Sequence, residues 1–175
     1  MYHVSPVKGI EELKPSISSH GKAYVYAIDI LTVALLFGAK KDDFDLLLDV
    51  DDGKAVVWEC YPDAFKKIYD NKSCSVYTVD ERYFKNGQTS WEHEYVCERS
   101  VPVLSEKRIS NLYLELKNEM EKGNLILNYY SENEAYQKFL KDELKTRMID
   151  FNLIDYFKND DPRGKLYFQN ILNEI

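Results

Sequence analysis

The pattern of apolar residues changes near residue 104, and this change is the strongest constraint on the fold. Before it, short runs rich in Val, Ile, Leu and Tyr alternate with turn signals, as in β-strands. After it, apolar residues recur at helical spacing to the end of the sequence. The sequence therefore predicts an α+β fold, with a mostly antiparallel β core in residues 1–104 and a helical extension in residues 105–175 packed on it.

Several turns and helix ends can be placed within this division. Asp52-Gly53 lies between two apolar runs and predicts a β-hairpin, since this pair tolerates the positive φ values of a tight turn. Asp29 is expected to cap a helix over residues 31–38 that stops at Gly38. Further along, Ser131 and Glu134 have the spacing of a capping box and predict the start of a long helix.

Composition narrows the classes of function. The net charge of −7, with no basic stripe, makes nucleic acid an unlikely general partner, because phosphate contacts come from Lys and Arg. The three cysteines lack a Cys-x-x-Cys spacing, which predicts reduced thiols and a cytoplasmic protein. No apolar run has the length of a membrane span, so a membrane partner is not expected. No cluster of His, Cys and Asp has zinc spacing, so we expect no metal.

Two segments of the predicted β core carry residues suited to a binding site. The first, Tyr2-His3-Val4-Ser5, places a histidine and a serine in a short strand near the start. The second, residues 21–29, reads GKAYVYAID, and the alternation of side chains puts Tyr24 and Tyr26 on one strand face. Taken alone, a strand-end histidine and two aromatic residues facing a core would explain both patterns.

A third segment, residues 91–96, reads WEHEYV and places Glu92 and Glu94 at the start of another strand. Two neighbouring carboxylates can raise the pKa of one of them and support general-base chemistry. The alternative is a charged entry to an edge strand, where such residues prevent edge-to-edge pairing.

Together the three segments resemble the diphtheria-toxin-like branch of the ADP-ribosyltransferase superfamily, which includes the poly(ADP-ribose) polymerases. Residues 2–5 are similar to the His-Gly-Ser/Thr motif of that branch, with Val4 in place of Gly. Residues 21–29 look like its Gly-Lys-Gly-Ile-Tyr-Phe-Ala-Asp segment, and residues 93–96 look like its Asn-Glu-Tyr-Ile. The resemblance covers residues 1–104 and implies the split β core of the ADP-ribosyltransferase fold.

The resemblance implies that NAD is consumed as a substrate and that no metal takes part. The residues it assigns are Glu94 as the catalytic carboxylate, Tyr26 or Tyr24 as the nicotinamide-stacking ring, and His3 with Ser5 as the ribose-binding motif. The Glu-x-Glu spacing of Glu92 and Glu94 looks like the paired-carboxylate motif of arginine-targeting transferases, which implies that Glu92 orients an acceptor guanidinium. We then expect His3, Tyr26 and Glu94 to line one cleft of roughly 300 Å³ or more.

The implied activity is that of an NAD-dependent mono-ADP-ribosyltransferase, acting on a protein or small-molecule acceptor, or of an NAD glycohydrolase. An alternative is a non-catalytic module that binds NAD, an ADP-ribose-like ligand or a protein, which the substitution at Val4 favours. A weaker alternative is an RNA 2′-phosphotransferase, which shares the fold and uses NAD. The acidic net charge and the lack of clustered Arg argue against it.

Overall fold

The computed structural model describes residues 1–17, 21–89 and 91–175. Its strands, in chain order, are β1 (Tyr2–Ser5), β2 (Glu12–Leu13), β3 (Ser16–Ile17), β4 (Ala23–Ile28), β5 (Leu46–Asp51), β6 (Lys54–Glu59), β7 (Cys74–Val79), β8 (Glu94–Cys97), β9 (Val101–Ile109) and β10 (Leu125–Asn128). Its α-helices are α1 (Leu31–Leu36), α2 (Ala64–Tyr69), α3 (Leu112–Glu121), α4 (Glu134–Asp150), α5 (Ile154–Asn159), α6 (Pro162–Leu166) and α7 (Gln169–Leu172). The predicted α+β class is confirmed.

The strands of the described residues form two sheets. The larger is curled and antiparallel, with the order β2-β9-β7-β1-β4-β3, and β8 pairs with β4 outside this path. The smaller has the order β10-β6-β5, in which β10 runs parallel to β6. The strands β5 and β6 form the hairpin that Asp52-Gly53 predicts, and both turn residues have positive φ values, 47° and 72°. The tight turn thus sets the register of this hairpin.

The predicted boundary at residue 104 lies inside a strand. Strand β9 begins at Val101 and continues to Ile109, paired with β7 over most of its length. One buried apolar cluster also joins both parts of the chain, since Val33 and Leu35 of α1 belong to the same cluster as Leu116 of α3. Residues 105–175 therefore supply strands to both sheets as well as helices.

Two predicted helix caps are replaced by other residues. Helix α1 has Ile30 at its N-cap without a side-chain hydrogen bond, and Asp29 is turned to other partners. Helix α4 is capped by Asn133, whose side-chain oxygen accepts hydrogen bonds from the amides of Ala135 and Tyr136. Asparagine is as strong an N-cap as serine, and here Asn133 caps the helix two residues after the predicted cap, Ser131.

Gly38 follows α1 for a reason of packing. Its φ is not positive, but a Cβ at this position would lie 2.9 Å from the Cys74 Sγ and 2.9 Å from a Leu112 methyl group. The end of α1 can therefore approach β7 and α3 only with glycine here. This contact fixes where the residue just before it, Phe37, is presented.

Two buried hydrogen bonds also hold helix α1 against the rest of the core. The Thr32 hydroxyl donates to the buried carboxylate of Glu119 at 2.9 Å, and the Tyr69 hydroxyl donates to the carbonyl of Leu36 at 2.8 Å. Hydrogen bonds between buried polar groups rigidify the elements that they join. These two hydrogen bonds hold the short helix α1 in place, and α1 forms one wall of the site described below.

In the part of the chain that the structure describes, no helix combines the length and the apolar character needed to cross a bilayer. The three cysteines, Cys60, Cys74 and Cys97, are buried and free.

Candidate active site

A cleft opens where strands β1 and β4 separate. The two strands pair only at Tyr2 and Ile28, whereas β1 pairs with β7 over all four of its residues. Beyond that point the His3 ring crosses the gap, with its Nδ1 atom 2.8 Å from the carbonyl oxygen of Tyr26. A side chain thus takes the place of a ladder hydrogen bond, and the strands leave a cleft of about 200 Å³.

Three of the residues singled out in the sequence meet in this cleft. His3, Tyr26 and Glu94 all line it, although His3 and Glu94 are 91 residues apart in the chain. Glu94 reaches it because β8 pairs with the other edge of β4, where Glu94 lies directly opposite Ile28. The cleft is thus built across β4, from one strand on each of its edges.

The cleft is smaller than the expected volume, but a second cavity adjoins it. This cavity measures about 290 Å³ and shares His3 and Tyr26 with the cleft. Tyr24 lines it and is buried, with its ring edge-on to that of Tyr26 at a centroid distance of 5.9 Å. Lys14 lies on its wall. A ligand with two parts can therefore contact His3 and Tyr26 from both cavities.

Ser5 and Glu92 are not among the lining residues of the cleft. The Ser5 hydroxyl accepts a hydrogen bond from the amide of Val7 at 3.1 Å, in the turn that follows β1. The Glu92 side chain is 86% exposed. It precedes the first residue of β8, in a turn that the Glu94 amide closes by donating to the Trp91 carbonyl at 3.1 Å. Because Glu92 lies in this turn and outside β8, the alternation of side chains along a strand does not place it on the same face as Glu94.

The charge of His3 is set by its surroundings. Burial lowers the pKa of His3 below the ordinary value of 6.5, and the hydrogen bond with the Tyr26 carbonyl opposes this effect only in part. The ring is therefore neutral at pH 7. Because a carbonyl oxygen only accepts, Nδ1 carries the proton, and Nε2 is the acceptor of the ring. Such a nitrogen suits a ligand hydroxyl group.

Phe37 is a lining residue that the sequence did not single out. It follows the last residue of α1, its side chain is 43% exposed, and it lines the same cleft as Tyr26. The ring of Trp91 packs against it at a centroid distance of 5.9 Å. With Tyr2 and Tyr26, Phe37 therefore gives the cleft three aromatic lining residues, which suit contact with a flat ring. The signal in the sequence is an aromatic residue at the end of an apolar helix, directly before a glycine that the packing requires.

Within the described residues, no group of three His, Cys, Asp or Glu side chains is arranged to hold a metal ion. The chemistry that the cleft itself offers is one carboxylate, one neutral imidazole and the three aromatic rings of Tyr2, Tyr26 and Phe37.

Comparison of the chain with models of protein families, with curated proteins and with solved structures finds no match. The geometry of the cleft is therefore what indicates a function for this chain.

Proposed function

We propose that this protein cleaves the nicotinamide–ribose bond of NAD, as a mono-ADP-ribosyltransferase or an NAD glycohydrolase, on an ADP-ribosyltransferase-like core. The observation that carries the proposal is the meeting of His3, Tyr26 and Glu94 in one cleft. Nothing local brings these residues together, because they come from three separate strands. The split between β1 and β4 further supports a likeness to the split β core of that superfamily.

The proposed reaction needs few protein groups. The bond between nicotinamide N1 and ribose C1′ breaks, and its electron pair leaves with neutral nicotinamide. Positive charge then develops on the ribose, where the Glu94 carboxylate stabilises it and accepts a hydrogen bond from a ribose hydroxyl group. A nucleophilic atom of water or of an acceptor adds to C1′ and releases one proton. The products with water are nicotinamide, ADP-ribose and that proton.

The two cavities suggest how the dinucleotide is held. The nicotinamide ring would lie against the aromatic lining residues of the cleft, with its ribose beside Glu94. His3 stands between the cleft and the adjoining cavity, where its Nε2 would accept from a ribose hydroxyl group. The rest of the dinucleotide would occupy the adjoining cavity, whose Lys14 suits a phosphate group.

The direct test is incubation of the protein with NAD and measurement of released nicotinamide by chromatography. We expect release in buffer alone if the protein is a glycohydrolase. Release that requires a cell extract, with radiolabelled ADP-ribose appearing on an acceptor, would indicate a transferase. The proposal fails if neither condition releases nicotinamide.

A non-catalytic binding module is the second candidate, and Val4 favours it. This residue lines the cleft at the position where the related motif has glycine. A side chain there narrows the approach of a ligand to the backbone of β1. The expected result for such a module is quenching of Tyr and Trp fluorescence by NAD or ADP-ribose without any release of nicotinamide.

Replacing Phe37 with Ala is expected to raise the Kd for NAD about tenfold, because stacking on an aromatic ring contributes about 1.4 kcal/mol. The fold should be unaffected, since this side chain is 43% exposed. Isothermal titration gives the Kd. Phe151→Ala, at an exposed position after α4, is the matched control and should bind NAD like the wild type. Equal Kd values for all three proteins would contradict the stacking role.

Affinity for NAD is expected to fall at acid pH through His3. Neutral His3 offers Nε2 as an acceptor, and protonation removes it. Since burial lowers the pKa of His3, the Kd should stay constant from pH 8 to the ordinary value of 6.5 and rise only below it. In His3→Asn, which cannot titrate, the Kd should be weaker but independent of pH over this range. A wild-type Kd that rises above pH 7 would be inconsistent with this role.

A further inference from the structure

A pair of side chains stands directly beside the proposed catalytic carboxylate. Glu94 is opposite Ile28 in the ladder of β8 and β4, so His93 and Asp29 face each other one residue further along. His93 Nδ1 lies 3.4 Å from the Asp29 Oδ1 atom. The pair therefore lies at the end of the ladder between β8 and β4, directly next to Glu94, which is the first residue of β8.

The surroundings of the pair indicate which atoms carry protons. His93 Nδ1 is buried and, among the described residues, has no hydrogen bond of good geometry. The charged groups that face the ring are Asp29 and the exposed Glu92, whose carboxylate is 3.8 Å from Nε2. The Tyr95 hydroxyl donates to the other oxygen of Asp29 at 3.4 Å. An unprotonated Nδ1 would place two acceptors, this nitrogen and the Asp29 Oδ1 atom, against each other, so Nδ1 is expected to carry a proton.

The pair is attached to a larger support around the cleft. The ring of Trp91 packs edge-on against His93 at 5.8 Å, and its other neighbour is Phe37 of the cleft wall. The Glu94 amide donates to the Trp91 carbonyl, which closes the turn before β8. Strand ends open locally at low free-energy cost, and β8 is only four residues long. The contact of His93, the residue directly before β8, with Asp29 therefore limits the movement of Glu94.

We propose that Asp29 and His93 form a clasp that positions Glu94 for cleavage of NAD. The inference rests on the proposed function, and both are positioning residues, because neither lines the cleft. The clasp fixes the start of β8 against β4, which places the carboxylate beside the ribose. A displacement of about 1 Å in a reacting group can cost up to about 100-fold in rate, so a loose strand end would lower kcat.

The test compares His93→Gln, Asp29→Asn and the double variant in nicotinamide release. We expect each single variant to lower kcat about tenfold. The kcat of the double variant should be at most about twofold below that of the less active single variant, because the two residues act as one unit. The KM and the Kd for NAD should change less than about twofold, because the binding surfaces are intact. Asp150→Asn, an exposed carboxylate on α4, is the matched control and should keep the wild-type kcat.

A second measurement is independent of activity. Hydrogen exchange of residues 91–97 in the ligand-free protein should be faster in the clasp variants than in the wild type, with no change in α4. An unchanged kcat in both single variants, or a joint collapse of kcat and NAD affinity, would overturn the positioning role. A wild type that releases no nicotinamide would overturn the proposed function instead, while the exchange data would still show whether the pair holds β8.

Discussion

Replacing Glu94 with Gln is expected to lower the rate of nicotinamide release at least about 100-fold, since removing one group that stabilises transition-state charge typically costs this much. Glutamine keeps the shape of the side chain and one acceptor oxygen but lacks the negative charge. Binding of NAD should be retained, because His3, Tyr26 and Phe37 still line the cleft. The comparison is made from single-turnover rates at saturating NAD and from the Kd.

The control for this substitution lies on the same strand region. Glu98 directly follows β8 and is exposed, so Glu98→Gln removes the same charge close by without changing the cleft. Its rate should equal that of the wild type. Should Glu94→Gln retain the wild-type rate, Glu94 would not be the catalytic carboxylate, and the nucleotide-binding candidate would gain support if NAD still bound.

Some of the sheet-forming segments could be predicted because local signals specify them. The alternation of Tyr24 and Tyr26 and the Asp52-Gly53 turn follow from periodicity and from backbone preferences, which act over a few residues. Strand β9 shows where such signals fail. Its residues 105–108 are Ser, Glu, Lys and Arg, none of them buried, so the strand continues without an apolar pattern that the sequence could reveal.

The candidate site was only partly predictable for a related reason. His3, Tyr26 and Glu94 could be singled out by type and context, but their meeting depends on the pairing of β4 with β1 and β8. Asp29 has the sequence position of a helix cap, and only the register of β8 brings it to His93. Long-range pairing of this kind is fixed by tertiary packing and leaves no local mark.

Replacing Arg163 with Met is expected to lower the free energy of unfolding by about 3 kcal/mol, because it leaves partly buried carboxylates without their cation. The guanidinium group of Arg163 in α6 lies 2.7 Å from an oxygen of each of Asp42, Asp45 and Asp161. Asp161 is almost fully buried, with 5% of its side chain exposed, whereas water screens the more exposed Asp42. The network joins the C-terminal helices to the turn before β5.

The pH dependence separates charge from packing in this prediction. Burial alone raises the pKa of Asp42 and of Asp161, but hydrogen bonds from Arg163 hold both below the ordinary value of 3.8. A depressed pKa in the folded state stabilises it above the unfolded value, and this contribution is lost as the pH falls through the folded value. The difference between the wild type and Arg163→Met should therefore be full at pH 7 and smaller at pH 3.

Urea unfolding at both pH values measures this difference. Arg82→Met is the matched control, because Arg82 is 85% exposed and pairs with Asp80 only two residues away. It should unfold at the wild-type urea concentration at pH 7. Equal losses at pH 7 and pH 3 in Arg163→Met would assign the effect to packing of the long side chain against Phe157, whose ring lies 5.5 Å from the guanidinium carbon. A loss confined to pH 7 would show that α6 is held to the turn at residues 42–45 by charge.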